Sequence, residues 1–269
     1  MPNVTDLYSL PSLYDTLHAA GTAEELDTVE RIASRFVRTK PTSRGKPRLT
    51  LLEPACGSGR LIRLAASRGT RCIGFDLNRD MIAYARRSIR RRGLTDLARV
   101  FLADMTDFTR HLEGERADLA FNLINTIRHL PDDDAMLTHF AEIARALRPG
   151  GVYAVGISLT DYDHEAEVED VWNASRGQRR VTQIINYLPP QSRAARRDRV
   201  ERVLSHLVVT TPTGEDHIDS TYTLRTYSRA QWDELVDRSP LHTVGVVDDW
   251  GEPTEPAEPG YAIHLLSPG

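Results

Sequence analysis

Short apolar runs alternate with helical apolar patterns over residues 49–157 of this 269-residue chain. Runs typical of buried strands lie at residues 49–53, 71–76, 98–102, 117–122 and 152–157, with amphipathic helical segments between them. Strands that alternate with helices in this way favour a parallel sheet with helices on both faces. We therefore predict a doubly wound α/β sheet, completed by two further strands at residues 241–248 and 261–266.

The alternation of strands and helices stops between residues 158 and 227. Residues 179–187, 200–211 and 217–226 alternate polar with β-branched and aromatic side chains, as strands do, whereas residues 163–174 are predicted to be helical. This pattern predicts a small antiparallel sheet inserted after the fifth strand. Long insertions at the ligand edge of a parallel sheet usually carry specificity. An oligomerisation ribbon, and with it a homodimer, is the alternative.

A glycine turn joins the first strand to the helix that follows it. Gly57 and Gly59 permit positive φ and leave the backbone accessible, so a ligand can lie at the helix N-terminus. A dinucleotide fingerprint needs a third glycine where this chain has Ile62. Glu53 ends the strand, and a carboxylate there suits a cationic group but repels a pyrophosphate. A tight connection without a ligand is the alternative.

Acidic residues also follow the next two strands. Asp76 ends the second strand at a distance from the glycines that suits hydrogen bonds from two ribose hydroxyls, as an adenosine-containing ligand requires. Its alternative role is to cap the following helix, although Asn78 could do so as well. Asp104 and Met105 follow the third strand, and Asp104 could instead cap a short helix.

Four signals in this order resemble class I S-adenosylmethionine-dependent methyltransferases: the glycine turn after Glu53, then Asp76, then Asp104, then Leu-Arg-Pro-Gly-Gly at residues 147–151. The resemblance implies a Rossmann-like seven-stranded sheet whose last strand is antiparallel. It also implies S-adenosyl-L-methionine as the cofactor and S-adenosyl-L-homocysteine as the product.

The resemblance also assigns roles to individual residues. Glu53 is expected near the amino group of the cofactor, Gly57 and Gly59 beside its ribose and methionine, and Asp104 opposite its adenine. An aromatic residue of the leading segment, Tyr14, is expected to cover the cofactor. The full set of cofactor-binding positions predicted in this way is Tyr14, Glu53, Ala55, Gly57, Gly59, Asp76, Leu77, Met81, Asp104, Met105 and Asn122.

The inserted segment resembles the β lid of small-molecule methyltransferases, including amino-sugar N-methyltransferases and glycine N-methyltransferase-like enzymes. We therefore predict methyl transfer to a small-molecule acceptor, with nitrogen as the accepting atom. The predicted boundaries are N-terminal helices and a linker over residues 1–47, a cofactor-binding core over 48–157, a lid over 158–227, and the end of the core sheet over 228–269.

Two residues that follow the fourth strand are candidates for catalysis. A nitrogen nucleophile must be neutral to attack, so a nearby base would help. His129 is the candidate base, and Arg128 could bind a substrate carboxylate or phosphate. Packing or capping is the alternative role of His129, and a tyrosine or aspartate of the lid could be the base instead.

Composition and charge narrow the range of partners. A net charge of -4 and a pI near 6.1 give no overall attraction to nucleic acid or to an anionic membrane. Cys56 and Cys72 lack the spacing of metal ligands and are expected to stay reduced. No segment resembles a signal peptide or a membrane span, so we expect a cytoplasmic protein. RNA or protein methylation, and non-catalytic binding of S-adenosylmethionine, are the alternative functions.

Overall fold

The structure is a computed structural model that describes residues 7–38, 49–190, 192–256 and 259–269. Residues 1–6 and 39–47 of the predicted N-terminal segment and linker therefore lie outside the described residues. The helices are α1 (Pro11–Leu17), α2 (Thr22–Phe36), α3 (Arg60–Ser67), α4 (Arg79–Arg91), α5 (Asp133–Ala146), α6 (Arg193–Asp198) and α7 (Arg229–Asp237). The strands are β1 (Thr50–Glu53), β2 (Arg71–Asp76), β3 (Ala98–Leu102), β4 (Ala117–Asn122), β5 (Leu147–Leu159), β6 (Val168–Arg176), β7 (Arg179–Leu188), β8 (Val200–Thr211), β9 (Gly214–Arg225), β10 (Leu241–Val247) and β11 (Gly260–Pro268).

Seven strands form the main sheet in the order β10-β11-β5-β4-β1-β2-β3. Strands β3, β2, β1, β4 and β5 are neighbours in that order and pair in parallel. Strand β11 pairs antiparallel with both β5 and β10. The predicted seven-stranded sheet with an antiparallel last strand is therefore confirmed. Because the order reverses between β1 and β4, a crevice opens beyond the carboxyl ends of these strands.

Helices cover both faces of this sheet. One apolar cluster joins the sheet to α5 and α7 and contains Phe75, Tyr153 and Trp232. A second cluster joins it to α2, α3 and α4 and contains Ile32 and Ile62. These clusters hold the strands rigidly, so residues at the strand ends have fixed positions. Within the described ranges, no helix combines the length and the apolar character that a membrane span needs.

A second, four-stranded antiparallel sheet, β6-β7-β8-β9, is inserted after β5. We call it the lid sheet. Its inner face includes Val181 and Leu207, which pack with Leu13 and Leu17 of α1 in one apolar cluster. The helix thus lies beneath the lid sheet.

The prediction of a helix over residues 163–174 is wrong. β6 begins at Val168 and pairs with β7 as far as Arg176. A hairpin turn at Gly177, where φ is +62°, brings the two strands together. The backbone hydrogen bonds of this pairing outweigh the helical tendency that the local sequence indicates.

Candidate functional site

A cavity of about 900 Å³ lies between the carboxyl ends of β1, β2 and β4 and the inner face of the lid sheet. The core lines one half of it through the loops that follow these strands. The other half is lined by the lid sheet together with α1 and the 3₁₀ turn at Leu7–Ser9. Nearly all the residues predicted to bind the cofactor line the cavity: Tyr14, Glu53, Ala55, Gly57, Asp76, Leu77, Met81, Asp104, Met105 and Asn122.

The two glycines of the turn after β1 serve different contacts. Gly57 has φ +53°, and a Cβ there would lie 3.3 Å from the ring of Tyr14. The missing side chain therefore lets Tyr14 lie against the backbone at the edge of the cavity. Gly59, at φ +72°, precedes α3, and a Cβ there would lie 3.1 Å from Cβ of Ala85 in α4. Gly59 is not among the described residues that line the cavity, and it allows α3 and α4 to pack closely.

Glu53 is a buried carboxylate, and its Oε2 has no hydrogen-bond partner among the described residues. Burial raises its pKa to about 8, although the positive charge of Arg60 opposes the shift. Arg60 itself donates to Glu25 across 2.6 Å, so its charge is already paired. Among the residues that the structure describes, no cation forms an ion pair with Glu53.

Asp76 is held by two backbone amides. Oδ2 accepts from the amide of Gly57 at 2.8 Å, and Oδ1 accepts from the amide of Asn78 at 2.8 Å. Burial raises the pKa of Asp76, and these hydrogen bonds oppose the rise. Asn78 is the residue that caps α4, because its side chain accepts from the amides of Asp80 and Met81. Asp76 therefore does not cap the helix, and each of its oxygens keeps a lone pair for a further donor.

The loop that carries Asp104 and Met105 is fixed by a residue that sequence reasoning missed. His139 on α5 is fully buried, with Nδ1 at 3.0 Å from the carbonyl of Met105 and Nε2 at 2.9 Å from the hydroxyl of Tyr153. Because a carbonyl can only accept, Nδ1 donates and Nε2 accepts from Tyr153. Burial lowers the pKa of His139 to about 4, so the ring is neutral at physiological pH.

The buried carboxylate of Asp15 holds α1 in place through hydrogen bonds. Its Oδ1 accepts hydrogen bonds from Arg63 at 2.5 Å and from Ser58 at 2.8 Å. Its Oδ2 accepts hydrogen bonds from Tyr84 at 2.9 Å and from Arg176 at 3.1 Å. Burial alone would raise the pKa of Asp15, but the charge of Arg63 and these hydrogen bonds lower it overall. The carboxylate thus connects α1 with the glycine turn, α3, α4 and β6.

The two catalytic candidates lie in different surroundings. His129 borders the cavity: its Nε2 lies 3.3 Å from the Tyr8 hydroxyl, and its ring stacks on Tyr222 with centroids 5.6 Å apart. Surrounding protein and the charge of Arg128 lower its pKa, so the ring is a neutral proton acceptor near pH 7. Arg128 is buried, donating to Glu201 of β8 at 2.7 Å and to the carbonyl of Arg225 at 2.8 Å. Arg128 is not among the described residues of the cavity wall, and its charge is paired.

The lid half of the cavity is aromatic and aliphatic, with a few uncharged polar groups. Gln183 is buried, and its Nε2 donates to the hydroxyl of Ser205 at 2.8 Å. Its Oε1 has no hydrogen-bond partner in the part of the chain that the structure describes. The other wall residues of the lid sheet are Trp172, Ile185, Tyr187, Ser205, Ser220, Tyr222 and Leu224.

Residues 51–151, which contain the glycine turn and all the core strand ends that border the cavity, match the protein family described as "Methyltransferase domain". This segment is similar to a methyltransferase domain. The match confirms the resemblance that the sequence motifs indicated, and it spans the residues that position Glu53, Asp76 and Asp104.

One relative matches a stretch of the chain that is longer than this segment. Methyltransferase GfsG of Streptomyces halstedii is 32% identical over 149 residues, which cover 54% of this chain and 46% of GfsG. The matched segment is therefore about half of the length of that relative.

Solved methyltransferase structures share the whole fold. A S-adenosylmethionine-dependent methyltransferase from Clostridium acetobutylicum has a TM-score of 0.72 at 17% identity, covering 98% of this chain and 100% of its own. The S-adenosylmethionine-bound CalS10, an amino pentose methyltransferase from Micromonospora echinaspora, has a TM-score of 0.67 at 18% identity, covering 98% of each chain. The likeness to these structures therefore covers both the main sheet and the lid sheet of this chain.

Proposed function

We propose that this chain is an S-adenosylmethionine-dependent methyltransferase that methylates a nitrogen atom of a small molecule. The observation that carries this proposal is the continuous cavity between the acidic strand ends of the methyltransferase domain and the inner face of the lid sheet. One half has the groups that a cationic nucleoside needs, and the other half offers an enclosed wall for an acceptor. Residues 158–227 would then act as the lid over the acceptor.

The residues of the core half fit the cofactor chemically. The unpaired, buried oxygen of Glu53 suits the ammonium of a methionine group, because an opposite charge offsets the cost of burying a carboxylate. Asp76 is anchored by backbone amides and can still accept from ribose hydroxyls. Gly57 lets the ring of Tyr14 lie against the turn at the edge of the cavity. When bound, the cofactor would supply a methyl group whose bond to a positively charged sulfur breaks as the acceptor atom bonds to the methyl carbon.

The protein would contribute placement, exclusion of water and control of one proton. Tyr14 on α1, His18 at the end of α1 and Trp172 on the lid sheet border the cavity on the side of α1. His129 lies on the wall between the two halves, and its neutral ring can take a proton from an acceptor ammonium. Arg128 would act through His129, because its bonds to β8 and β9 hold the neighbouring backbone in place.

Turnover tests the proposal directly. The purified chain would be incubated with S-adenosylmethionine and a panel of small amines, alcohols and phenols, and S-adenosylhomocysteine and methylated products would be measured by mass spectrometry. We expect products methylated on nitrogen. Cofactor binding without turnover on the whole panel would favour a non-catalytic role, and products methylated only on oxygen would contradict the assignment of nitrogen.

A further inference from the structure

The charges that line the cavity are unevenly distributed between its two halves. The charged lining residues among the described part of the chain are Glu25, Glu53, Arg60, Asp76 and Asp104, and all of them lie on α2 or on the core side. The single cation, Arg60, is paired with Glu25. The lid sheet contributes only aromatic, aliphatic, serine and glutamine side chains to the wall.

Three arginines next to the lid half are paired with acidic side chains of the protein itself. Arg128 donates to Glu201 at 2.7 Å, and Arg225 lies 3.4 Å from Asp133. Arg176 binds Asp15 across 3.1 Å. A phosphate or carboxylate held against this wall would lose part of its hydration without gaining a counter-charge, which is unfavourable.

One polar group on the lid wall, Oε1 of Gln183, has no hydrogen-bond partner among the described residues. Gln183 points inward from β7 in register with Trp172 on β6 and Leu207 on β8, both on the inner face. The hydrogen bond from its Nε2 to Ser205 orients the amide, so Oε1 is the end that remains unpaired. A buried carbonyl without a donor is costly, and a ligand that supplies the donor recovers that cost.

We propose that the lid half of the cavity binds an acceptor without phosphate or carboxylate groups, and that Gln183 Oε1 accepts a hydrogen bond from its hydroxyl or amine. The proposal rests on the proposed function and narrows its substrate class. The rings of Tyr187 and Tyr222 flank the same wall and suit an apolar or sugar-like face of such a molecule. Gln183 would therefore select the acceptor, whereas His129 would handle its proton.

Three ligands with one skeleton test the charge preference. They are phenyl β-glucosaminide, its phosphate ester at the primary hydroxyl, and the uronic acid at the same carbon. Each would be titrated by calorimetry into the full chain saturated with S-adenosylhomocysteine. We expect the glucosaminide to bind about 100-fold more tightly than either anionic ligand. Equal or tighter binding of the phosphate ester, or no binding of the glucosaminide, would overturn the proposal.

Substitution of Gln183 tests the polar contact. Gln183→Leu removes the hydrogen bond, and we expect about tenfold weaker binding of phenyl β-glucosaminide with unchanged affinity for S-adenosylhomocysteine. Asn186→Leu is the matched control, because Asn186 is an amide on the same strand that bonds to Glu169 on the outer face. Gln183→Met offers an unbranched replacement if the leucine variant does not fold. Unchanged glucosaminide binding in a folded Gln183 variant would refute the contact.

The two proposals fail in different ways. Tight binding of the glucosaminide without formation of S-adenosylhomocysteine from any acceptor would contradict the proposed function and leave the charge preference supported. Methylation of the phosphate ester as efficiently as the glucosaminide would support the function and overturn the charge preference.

Discussion

Binding of the cofactor should release a proton from Glu53. In the ligand-free protein, burial raises the pKa of this carboxyl to about 8, so the group is mainly protonated at pH 7. The proposed site places the ammonium of the ligand next to it. An opposite charge at short range favours the ionised carboxylate and lowers its pKa, so the proton leaves as the ligand binds.

The size of the effect follows from the pKa. With a value of about 8, roughly 0.9 of the Glu53 carboxyls carry a proton at pH 7, and this fraction is the upper limit of the release. Binding then becomes stronger as the pH rises. Between pH 6 and pH 7 we expect the affinity for S-adenosylhomocysteine to increase by up to about tenfold, which corresponds to about 1.4 kcal/mol.

Calorimetry measures the released proton directly. Titrations with S-adenosylhomocysteine at pH 7 in phosphate and in Tris differ in enthalpy by the number of protons multiplied by the difference between the buffer ionisation enthalpies. Glu53→Gln is the matched control, because the amide keeps the shape of the side chain and cannot ionise. We expect the variant to lose the release and the dependence of affinity on pH.

An equal release of protons by wild type and Glu53→Gln would refute this reasoning. It would assign the proton to another group, such as Asp76, whose pKa is also raised by burial. Tight binding of S-adenosylhomocysteine without proton release, in both wild type and Glu53→Gln, would mean that Glu53 is not close to the ammonium.

Three further predictions follow from the same contacts. Asp76→Ala should weaken binding of S-adenosylhomocysteine by roughly 2 kcal/mol, because charge-assisted hydrogen bonds are lost; unchanged calorimetric affinity in a folded variant would contradict this. Glu201→Gln leaves the charge of Arg128 buried without a counter-charge and should lower the free energy of unfolding, measured in urea, by roughly 3 kcal/mol. The control Glu252→Gln removes an exposed ion pair with Arg35 and should leave the free energy of unfolding nearly unchanged. The methylation rate should fall at acidic pH as His129 gains a proton, its pKa being lowered so that the loss begins below the usual histidine range; a His129→Gln variant that keeps the same acidic limb would exclude His129 as its source.

The core strand ends could be predicted because their signals are local. Glu53 and Asp76 each follow an apolar run directly, and the register of β1 with β2 brings Glu53 beside Gly74. Once the parallel sheet is inferred, the carboxyl ends of its strands must share one edge. The position of Gly59 is different: the turn was predicted, but its contact with Ala85 depends on the packing of two helices.

Contacts between distant segments could not be predicted from the chain alone. Arg128 looks available for a substrate anion in the sequence, yet its partner Glu201 lies 73 residues further along the chain. His139 occupies a helical position typical of packing, and only the fold brings it to Met105.

The wrong prediction of a helix at β6 also arises from a contact between separate segments, because the strand conformation of β6 depends on its pairing with β7. Gln183 did carry a signal that sequence reasoning missed. It is polar, but it shares the inward phase of β7 with Val181 and Ile185.

The hydrogen bonds of Asp15 bear on how α1 could move. One carboxylate ties α1 to the glycine turn through Ser58 and to the lid sheet through Arg176. Displacing α1 would break both ties together and would separate the buried Arg63 guanidinium from its counter-charge. Movement of α1 would therefore be concerted, because its contacts with the glycine turn and with the lid sheet depend on the same carboxylate.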